Sequence, residues 1–287
     1  MPRLVTVGVD GSPESRAAAI WAAREASSRE VPLRLVHVID WPISPAVPRL
    51  DRETADRWAD EALAEPLEDV RRRHPHLEIT TRRLSGRPAG VLAVESADAD
   101  LLVLGARGLG GLRGYLVGAV GTATLIATET PVALIRAADI PEGSGPARYG
   151  EIAVGVDSHE APDRVLAFAF EEAARHSCAL RALHGWRLPP AYRSFPFLDS
   201  DGEREAARKA AMMLADLLLP WSHRFPAVSV SQMTFMRPSQ LVQAAAGADL
   251  LVIGRHLRRS PLGAHLGPVA HAVLHHAATP VAVVAHD

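Results

Sequence analysis

The sequence predicts an α/β protein made of two tandem doubly wound domains, each built on a mainly parallel five-stranded sheet. Three observations carry this expectation. The chain repeats itself at a period of about 147–149 residues. Within each repeat, short runs rich in Val, Leu and Ile alternate with longer Ala-rich stretches of helical character. The short runs are continuously apolar, as strands are when helices cover both faces of a parallel sheet.

The repeat is legible as four blocks in the same order. VTVGVDGS (5–12) matches IAVGVDSH (152–159), and LRLVHVIDW (33–41) matches LRALHGWRL (180–188). ADADLLVLGARG (97–108) matches AAGADLLVIGRHL (245–257), and ATLIATETPVALIRA (123–137) matches AVLHHAATPVAVVAH (272–286). The drift in offset places short insertions in loops. A length of 287 residues suits two domains at roughly 100–200 residues each. The expected division is 1–138, a linker at 139–150 rich in Pro and Gly, and 151–287.

Each element of the first half has a local reason. Residues 3–9 are a Val-rich run fit for a buried strand. Ser12-Pro13-Glu14 starts a helix, with Ser as N-cap and Pro at the first helical position, where its missing N–H costs nothing. That helix should run to about Ser28. A strand at 33–39, a helix at 51–73, a strand at 77–84 and a helix at 88–97 follow. Residues 100–105 form the fourth strand. A Gly-rich segment then leads to a helix at 119–129, and PVALIRA is the last strand. The second half repeats this order.

Bulk properties exclude several classes. The chain is 48% apolar and 22% charged, so a packed core is expected rather than disorder. A formal net charge of −2 argues against a polyanion binder, so no nucleic-acid partner is expected. Lys209 is the sole lysine, so a P-loop of the GxxxxGK[ST] type is excluded. The single cysteine, Cys178, cannot form an intrachain disulfide and reads as a small buried hydrophobe in an apolar helical stretch. The chain starts with a strand and has no run of ~18 apolar residues. A cytoplasmic protein with no membrane partner is therefore expected.

In open parallel sheets, ligands bind outside the carboxyl ends of the strands, where the strand order reverses. Three segments should converge there: Val9-Asp10-Gly11-Ser12, His37-Val38-Ile39-Asp40, and the glycine-rich stretch from Leu104 to Val120. In that stretch Gly105 and Gly108 offer bare backbone and freedom to take positive φ. Gly118 opens a helix whose first N–H groups and positive dipole end favour an anion. Arg107 and Arg113 place charge nearby, or serve as solvated loop residues.

The spacing Gly105-x2-Gly108-x9-Gly118 resembles the G-x2-G-x9-G-[S/T] signature of ATP-binding universal stress proteins. The GVDGS start, the His37-Val38 pair and the PVALI final strand are similar to that family too, and the resemblance covers both halves. It implies a Rossmann-like fold of the adenine nucleotide alpha-hydrolase-like type, with ATP as the ligand and Mg²⁺ accompanying it. Carried over residue by residue, Val9 lines an adenine slot and Asp10 contacts the adenosine part, beside Gly11 and Ser12. Val38 pairs with adenine through its backbone. Leu104 and Gly105 border the ribose, while Gly108, Gly118, Ala119 and Val120 meet the phosphates. The resemblance also implies that the two halves pair through their final strands, which read as sheet edges. Unpaired apolar edges invite association, so a homodimer is a further expectation.

This chain departs from the pattern at Ala119, where the family has Ser or Thr. A hydrogen bond to a charged group is worth roughly 1.5–3 kcal/mol, so ATP binding should be weakened; Thr122 lies almost one turn later. The second half departs further. Gly254 and Gly267 survive, Leu257 replaces the middle glycine, Pro268 removes an N–H, and Gly185 stands where Val38 stands. Asp157 is kept. This half reads as a degenerate site; Arg255, His256, Arg258 and Arg259 read as a solvated basic loop or an anion site.

Other constellations lead nowhere specific. His271 and His275 share a helix face, as metal pairs do, but His256, His265, His276 and His286 complete no ligand set, so no metal site is expected. No GxSxG elbow or placed triad is present. The helix at 203–219 is amphipathic, with apolar positions expected in the core. Trp41, Trp58, Trp186 and Trp221 are too scattered to stack nucleic-acid bases. The expectation is an ATP-binding stress-response regulator, non-catalytic, with nucleotide in the first domain and a regulatory protein reading its altered surface. The alternatives are a nucleotide-free interaction scaffold of the same fold and, ranked lower, a slow ATPase.

Overall fold

The computed structural model describes residues 3–40, 51–108, 115–116, 118–139, 149–157, 163–186, 200–236, 240–257 and 267–286. The chain divides into two compact units, Met1–Ala147 and Arg148–Asp287. Residues 140–148, inside the expected linker, lie outside the described residues.

The first unit runs β1 (Val5–Gly8), α1 (Pro13–Arg29), β2 (Leu33–Ile39), α2 (Arg52–Arg73), β3 (Ile79–Ser85), α3 (Pro88–Glu95) and β4 (Leu101–Gly105). Two short strands follow, β5 (Arg107–Gly108) and β6 (Tyr115–Leu116), then α4 (Ala119–Ala127), β7 (Val132–Ile135) and a 3-10 turn at Ala137–Asp139. Its main sheet has the order β7-β4-β1-β2-β3, and every one of these pairings is parallel. The chain moves outward from β1 through β2 to β3, then returns to place β4 on the other side of β1. The strand order therefore reverses between β1 and β4, and the carboxyl ends of those strands flank the crevice.

Sequence chemistry explains the elements. The Ser12 hydroxyl accepts from Ser15 N and caps α1, with Pro13 at its first position; Glu30, at φ 56°, ends the helix. Asp51 caps α2 by accepting from Thr54 N. Pro66 lies inside α2 without ending it. The alanines at 17, 18, 19, 22, 23 and 26 are buried along α1, with Trp21 as its one large buried side chain. Such small side chains let the helix lie close on the strands. The sheet interior is aliphatic, with Val5, Val7, Leu33, Leu35, Leu101, Leu102, Val103 and Leu134 almost wholly buried. The edge strand β3 is guarded by charge: Arg82 pairs with Glu95 and Arg83 with Asp60, each at 2.9 Å.

The glycine-rich segment holds an element that the sequence did not predict. β5 and β6 pair antiparallel, Arg107 opposite Leu116 and Gly108 opposite Tyr115. The expected loop is thus tied at its base. Residues 109–114 and 117, which include Gly110, Gly111, Arg113 and Gly114, lie outside the described residues, as do the side chains of Arg107 and its neighbours in β5 and β6.

The second unit runs β8 (Glu151–Gly155), α5 (Asp163–His176), β9 (Ala179–Gly185), α6 (Ser200–Arg224), β10 (Val230–Phe235), α7 (Leu241–Ala244), β11 (Leu250–His256), α8 (Pro268–His276) and β12 (Val281–His286). Its sheet order is β10-β9-β8-β11-β12, again parallel at each of these pairings. On α6 the residues Ala210, Leu214 and Leu218 are buried at helical spacing, as expected, but Met212, Met213 and Leu219 are exposed. Cys178 is a correction. It lies beyond the end of α5, just before β9, and not in a helix. It is buried, and burial, with the charges of Asp249 and Glu172 adding to it, pushes its thiol up to about 11. Among the described residues, no helix is long and apolar enough to cross a membrane.

Two predictions follow from packing and charge. Asp69 is buried and receives Arg16 Nε at 2.5 Å and the Arg72 guanidinium. Burial alone would raise its pKa, but the two arginines outweigh it and the net shift is downward. A depressed carboxylate stabilises the fold above its unfolded value, and that contribution is lost as pH falls through the folded value. Asp69→Asn should therefore lower stability at pH 7 by roughly 1–3 kcal/mol. Urea titrations across pH should show the gap from wild type closing below about pH 4. Cys178 should be inert in the native protein: at pH 8 about one thiol in a thousand is ionised. Mass spectrometry after iodoacetamide treatment should find it alkylated only when the protein is unfolded.

Candidate functional site

The turn after β1 is built from its own side chains. Asp10 turns its carboxylate forward along the chain, where Oδ1 accepts from Ser12 N at 3.0 Å and from Ser12 Oγ at 2.5 Å. Gly11 sits at φ +81°, a conformation that disfavours any side chain. Ser12 then caps α1. Asp10 is exposed, and its role here is to close the turn. Asp10, Gly11 and Ser12 are thus one local unit that delivers the chain from β1 into α1.

Val9 is buried at the mouth of the crevice. Its N–H donates to the Val36 carbonyl at 2.8 Å. Its carbonyl accepts from His37 Nδ1 at 2.8 Å. A carbonyl only accepts, so the proton is on Nδ1. The second unit repeats this contact: His184 Nδ1 donates to the Val156 carbonyl at 2.9 Å. Sequence reasoning noted the histidine of the His-Val pair without giving it a task. Its recurrence at matching positions in both halves was the available signal. Val38, one residue on, is half-buried near the end of β2 and lies opposite Leu84 of β3.

The glycines have different reasons to be glycine. At Gly105 an added Cβ would lie 2.7 Å from Glu14 C and Ser15 N, both backbone atoms of the first turn of α1. Its φ is not among the positive ones of the described residues, which are Gly11, Gly86, Gly247 and two non-glycines. The expected left-handed turn at Gly105 is corrected: the glycine is there because helix and strand approach too closely for a side chain. The Leu104 side chain is buried and packs across Gly8, where an added Cβ would meet it at 2.8 Å. Only the backbone of Leu104 is therefore available to a ligand. Gly118 is the opposite case. An added Cβ there would meet nothing within 4 Å.

Gly118 is the N-cap of α4 and makes no side-chain cap bond. The first helical bond runs from Thr122 N to the Gly118 carbonyl at 3.0 Å. The N–H groups of Ala119, Val120 and Gly121 come before it, and Ala119 and Val120 are exposed. Such a helix start, with its dipole, suits an anion. Arg107 and Gly108 stand in β5, between β4 and the rest of the loop.

In the second unit the corresponding places are filled or altered. An added Cβ at Gly254 would lie 2.6 Å from His286 Nε2 and 3.1 Å from Val165. Leu257 N donates to the His286 carbonyl at 2.8 Å, tying that loop down. Gly267 caps α8 with open space beside it, but Pro268 is the first helical residue. Arg255, read from sequence as part of a solvated basic loop or anion site, is buried; Arg258, Arg259 and His265 lie outside the described residues. His271 and His275 do share a face of α8, ring centroids 4.2 Å apart.

The fold defines a class: a duplicated parallel α/β protein with glycines at the strand and helix ends that flank each switch point. The family model described as universal stress protein family matches residues 1–136 and 148–285. The universal stress protein Rv2005c of Mycobacterium tuberculosis is 33% identical over 290 residues, covering 97% of this chain and 96% of that protein. A second protein of that organism, Rv2623, is 31% identical over 291 residues and covers 97% and 95%. Among solved structures, a universal stress protein from Archaeoglobus fulgidus superposes with a TM-score of 0.68 at 14% identity, covering 99% of this chain and 98% of that one. The chain belongs to the universal stress protein family.

The two glycines should respond differently to substitution. Gly105→Ala should destabilise the protein by roughly 1–3 kcal/mol, because the new methyl meets backbone that cannot step aside. Gly118→Ala should cost at most about 1 kcal/mol, the loss of glycine at an N-cap. Thermal or urea unfolding of the two variants should separate them.

Proposed function

We propose that the first unit binds ATP, with Mg²⁺ accompanying it, and that the protein acts as a non-catalytic regulator in the stress response. The observation that carries this reading is the uncapped start of α4 behind Gly118, open to solvent at the switch point of the sheet. The residues present fit the group. The N–H groups of Ala119, Val120 and Gly121 would hold phosphate oxygens. Val9 and the backbone of Val38 would border the adenine. Asp10 would meet the adenosine part by sharing a carboxylate already turned toward Ser12. The backbone of Leu104 and Gly105 would lie beside the ribose, and Arg107 and Gly108 beside the phosphates.

Regulation, rather than turnover, is the reading adopted because the sequence holds no nucleophile elbow or placed triad. Asp10 is engaged by Ser12, and His37 Nδ1 by the Val9 carbonyl. Both contacts hold the turn after β1 in place. Binding would instead bias the arrangement of the glycine segment between β4 and α4, and a partner would read the changed surface. That shift is limited by the ligand's preference for one arrangement over the other.

The missing hydroxyl supplies the sharpest test. Ala119→Ser supplies a hydroxyl able to donate to a phosphate oxygen at the first residue of α4. A hydrogen bond to a charged group is worth roughly 1.5–3 kcal/mol, so affinity for ATP should rise by about 10- to 100-fold. Titration calorimetry with ATP and Mg²⁺ measures it. Asp10→Ala should weaken binding strongly while Asp157→Ala leaves it unchanged. A protein that takes up no ATP in either the wild-type or the Ala119→Ser form is a nucleotide-free scaffold, and the proposal fails.

A further inference from the structure

β10 is the outermost strand of the second unit's sheet, and among the described residues it pairs with β9 alone. Leu180 N donates to the Ser229 carbonyl and Trp186 N to the Phe235 carbonyl, each at 2.9 Å. Odd-numbered residues of β10 therefore turn their main-chain groups toward β9. Val230, Gln232 and Thr234 turn theirs to the open edge. Ser231, Gln232 and Met233 are exposed. Residues 227–236, AVSVSQMTFM, hold no charged residue, no Gly and no Pro. An edge strand in this state is a template for pairing with another strand.

The first unit shows how the same edge is closed to such pairing. β3 is its outermost strand, guarded by the pairs Arg82–Glu95 and Arg83–Asp60. The two matched histidines align the edges: His37 lies opposite Arg83, and His184 opposite Thr234. Arg82 and Arg83 thus correspond to Met233 and Thr234. Their acidic partners are replaced as well. Arg34 donates to the Glu95 carbonyl and Arg181 to the Ala244 carbonyl, so Ala244 stands where Glu95 stands. His74 N reaches Val70 O where α2 ends, and Phe225 N reaches Trp221 O where α6 ends, which counts Asp60 onto Ala211. All four members of the guard are uncharged in the second unit.

The side chains of β10 select the partner. Antiparallel pairing about a two-fold axis through Gln232 sets Gln232 against Gln232 of a second copy, and Val230 against Thr234. An amide both donates and accepts, so Gln232 is its own complement. Val and Thr are both β-branched and suit a cross-strand pair. These three positions carry the outward main-chain groups, so each opposed pair exchanges two backbone hydrogen bonds. The strand has no charge to set against its own image. The same pairing of β3 would gather the arginines of both copies about one axis. We propose that β10 is the interface of a symmetric homodimer, joined edge to edge with β10 of a second copy, with Gln232 at the two-fold.

Sedimentation velocity of the full chain, at concentrations up to about 100 μM, reads the assembly. Wild type should show a concentration-dependent dimer. Gln232→Lys and Gln232→Glu each bring like charges together at the axis, and each should raise the dimer dissociation constant at least tenfold. An equimolar mixture of the two variants should restore the dimer, because Lys then meets Glu. Both changes fall on an exposed side chain at a sheet edge, where charge is well tolerated, so circular dichroism should match wild type. Thr234→Pro tests the main chain: it removes an outward N–H, spares the bonds to β9, and should also weaken the dimer at least tenfold. A wild-type monomer at the highest concentration, a dimer that any of the three variants leaves intact, or a mixture that stays monomeric overturns the proposal. No nucleotide is added at any stage, so the outcome is independent of the proposed ATP site.

Discussion

The bare Cα of Gly105 against the first turn of α1 is the constraint on which the crevice depends. Backbone atoms of Glu14 and Ser15 lie where a side chain would begin. The end of β4 and the start of α1 are therefore held at a separation that no other residue permits. The turn Asp10-Gly11-Ser12 is fixed at its far end by that helix and at its near end by β1. His37 adds a second tie, from β2 to the Val9 carbonyl. The end of β4 is thus set beside that turn. In the proposed function, the rigid part orients the nucleoside and the start of α4 meets the phosphates.

Duplication shows what belongs to the fold and what does not. Both units share the parallel sheet order, the histidine donating to the strand-end carbonyl, the glycine N-cap of the last helix, and the left-handed residue closing the first helix. These features recur because the architecture needs them. The differences lie at the two poles of the sheet. At the carboxyl pole, the second unit places His286 against Gly254 and Pro268 at the helix start. At the amino pole, it stacks Phe170, Trp221 and Phe225 where the first unit has Ala23, Val70 and His74.

Much of this was readable before any coordinates. The repeated blocks, the uninterrupted apolar strands and the Ser12-Pro13 helix start gave two parallel α/β units with element ends correct to within a few residues. Local signals of this kind survive because they depend on neighbours in sequence: a cap needs its own N–H groups, and a buried strand needs its own apolar run. The site was legible as a set of segments. The task of each residue within it was not. Gly105 and Gly118 look alike in a glycine signature, yet one is pressed against a helix and the other faces open space. Cys178 was misplaced in a helix because the helix stops at a left-handed Ser177, which no residue type announces.

The sequence by itself determined the duplication, the strand and helix order, and the asymmetry between Gly108–Ala119 and Leu257–Pro268, since each is a property of neighbouring residues. Only the tertiary structure decided what stands beside a bare Cα, which ring nitrogen of His37 carries the proton, and that Phe170, Trp221 and Phe225 stack on one another. Those outcomes depend on distances between residues remote in the chain, and close packing makes a difference of one side chain decisive there.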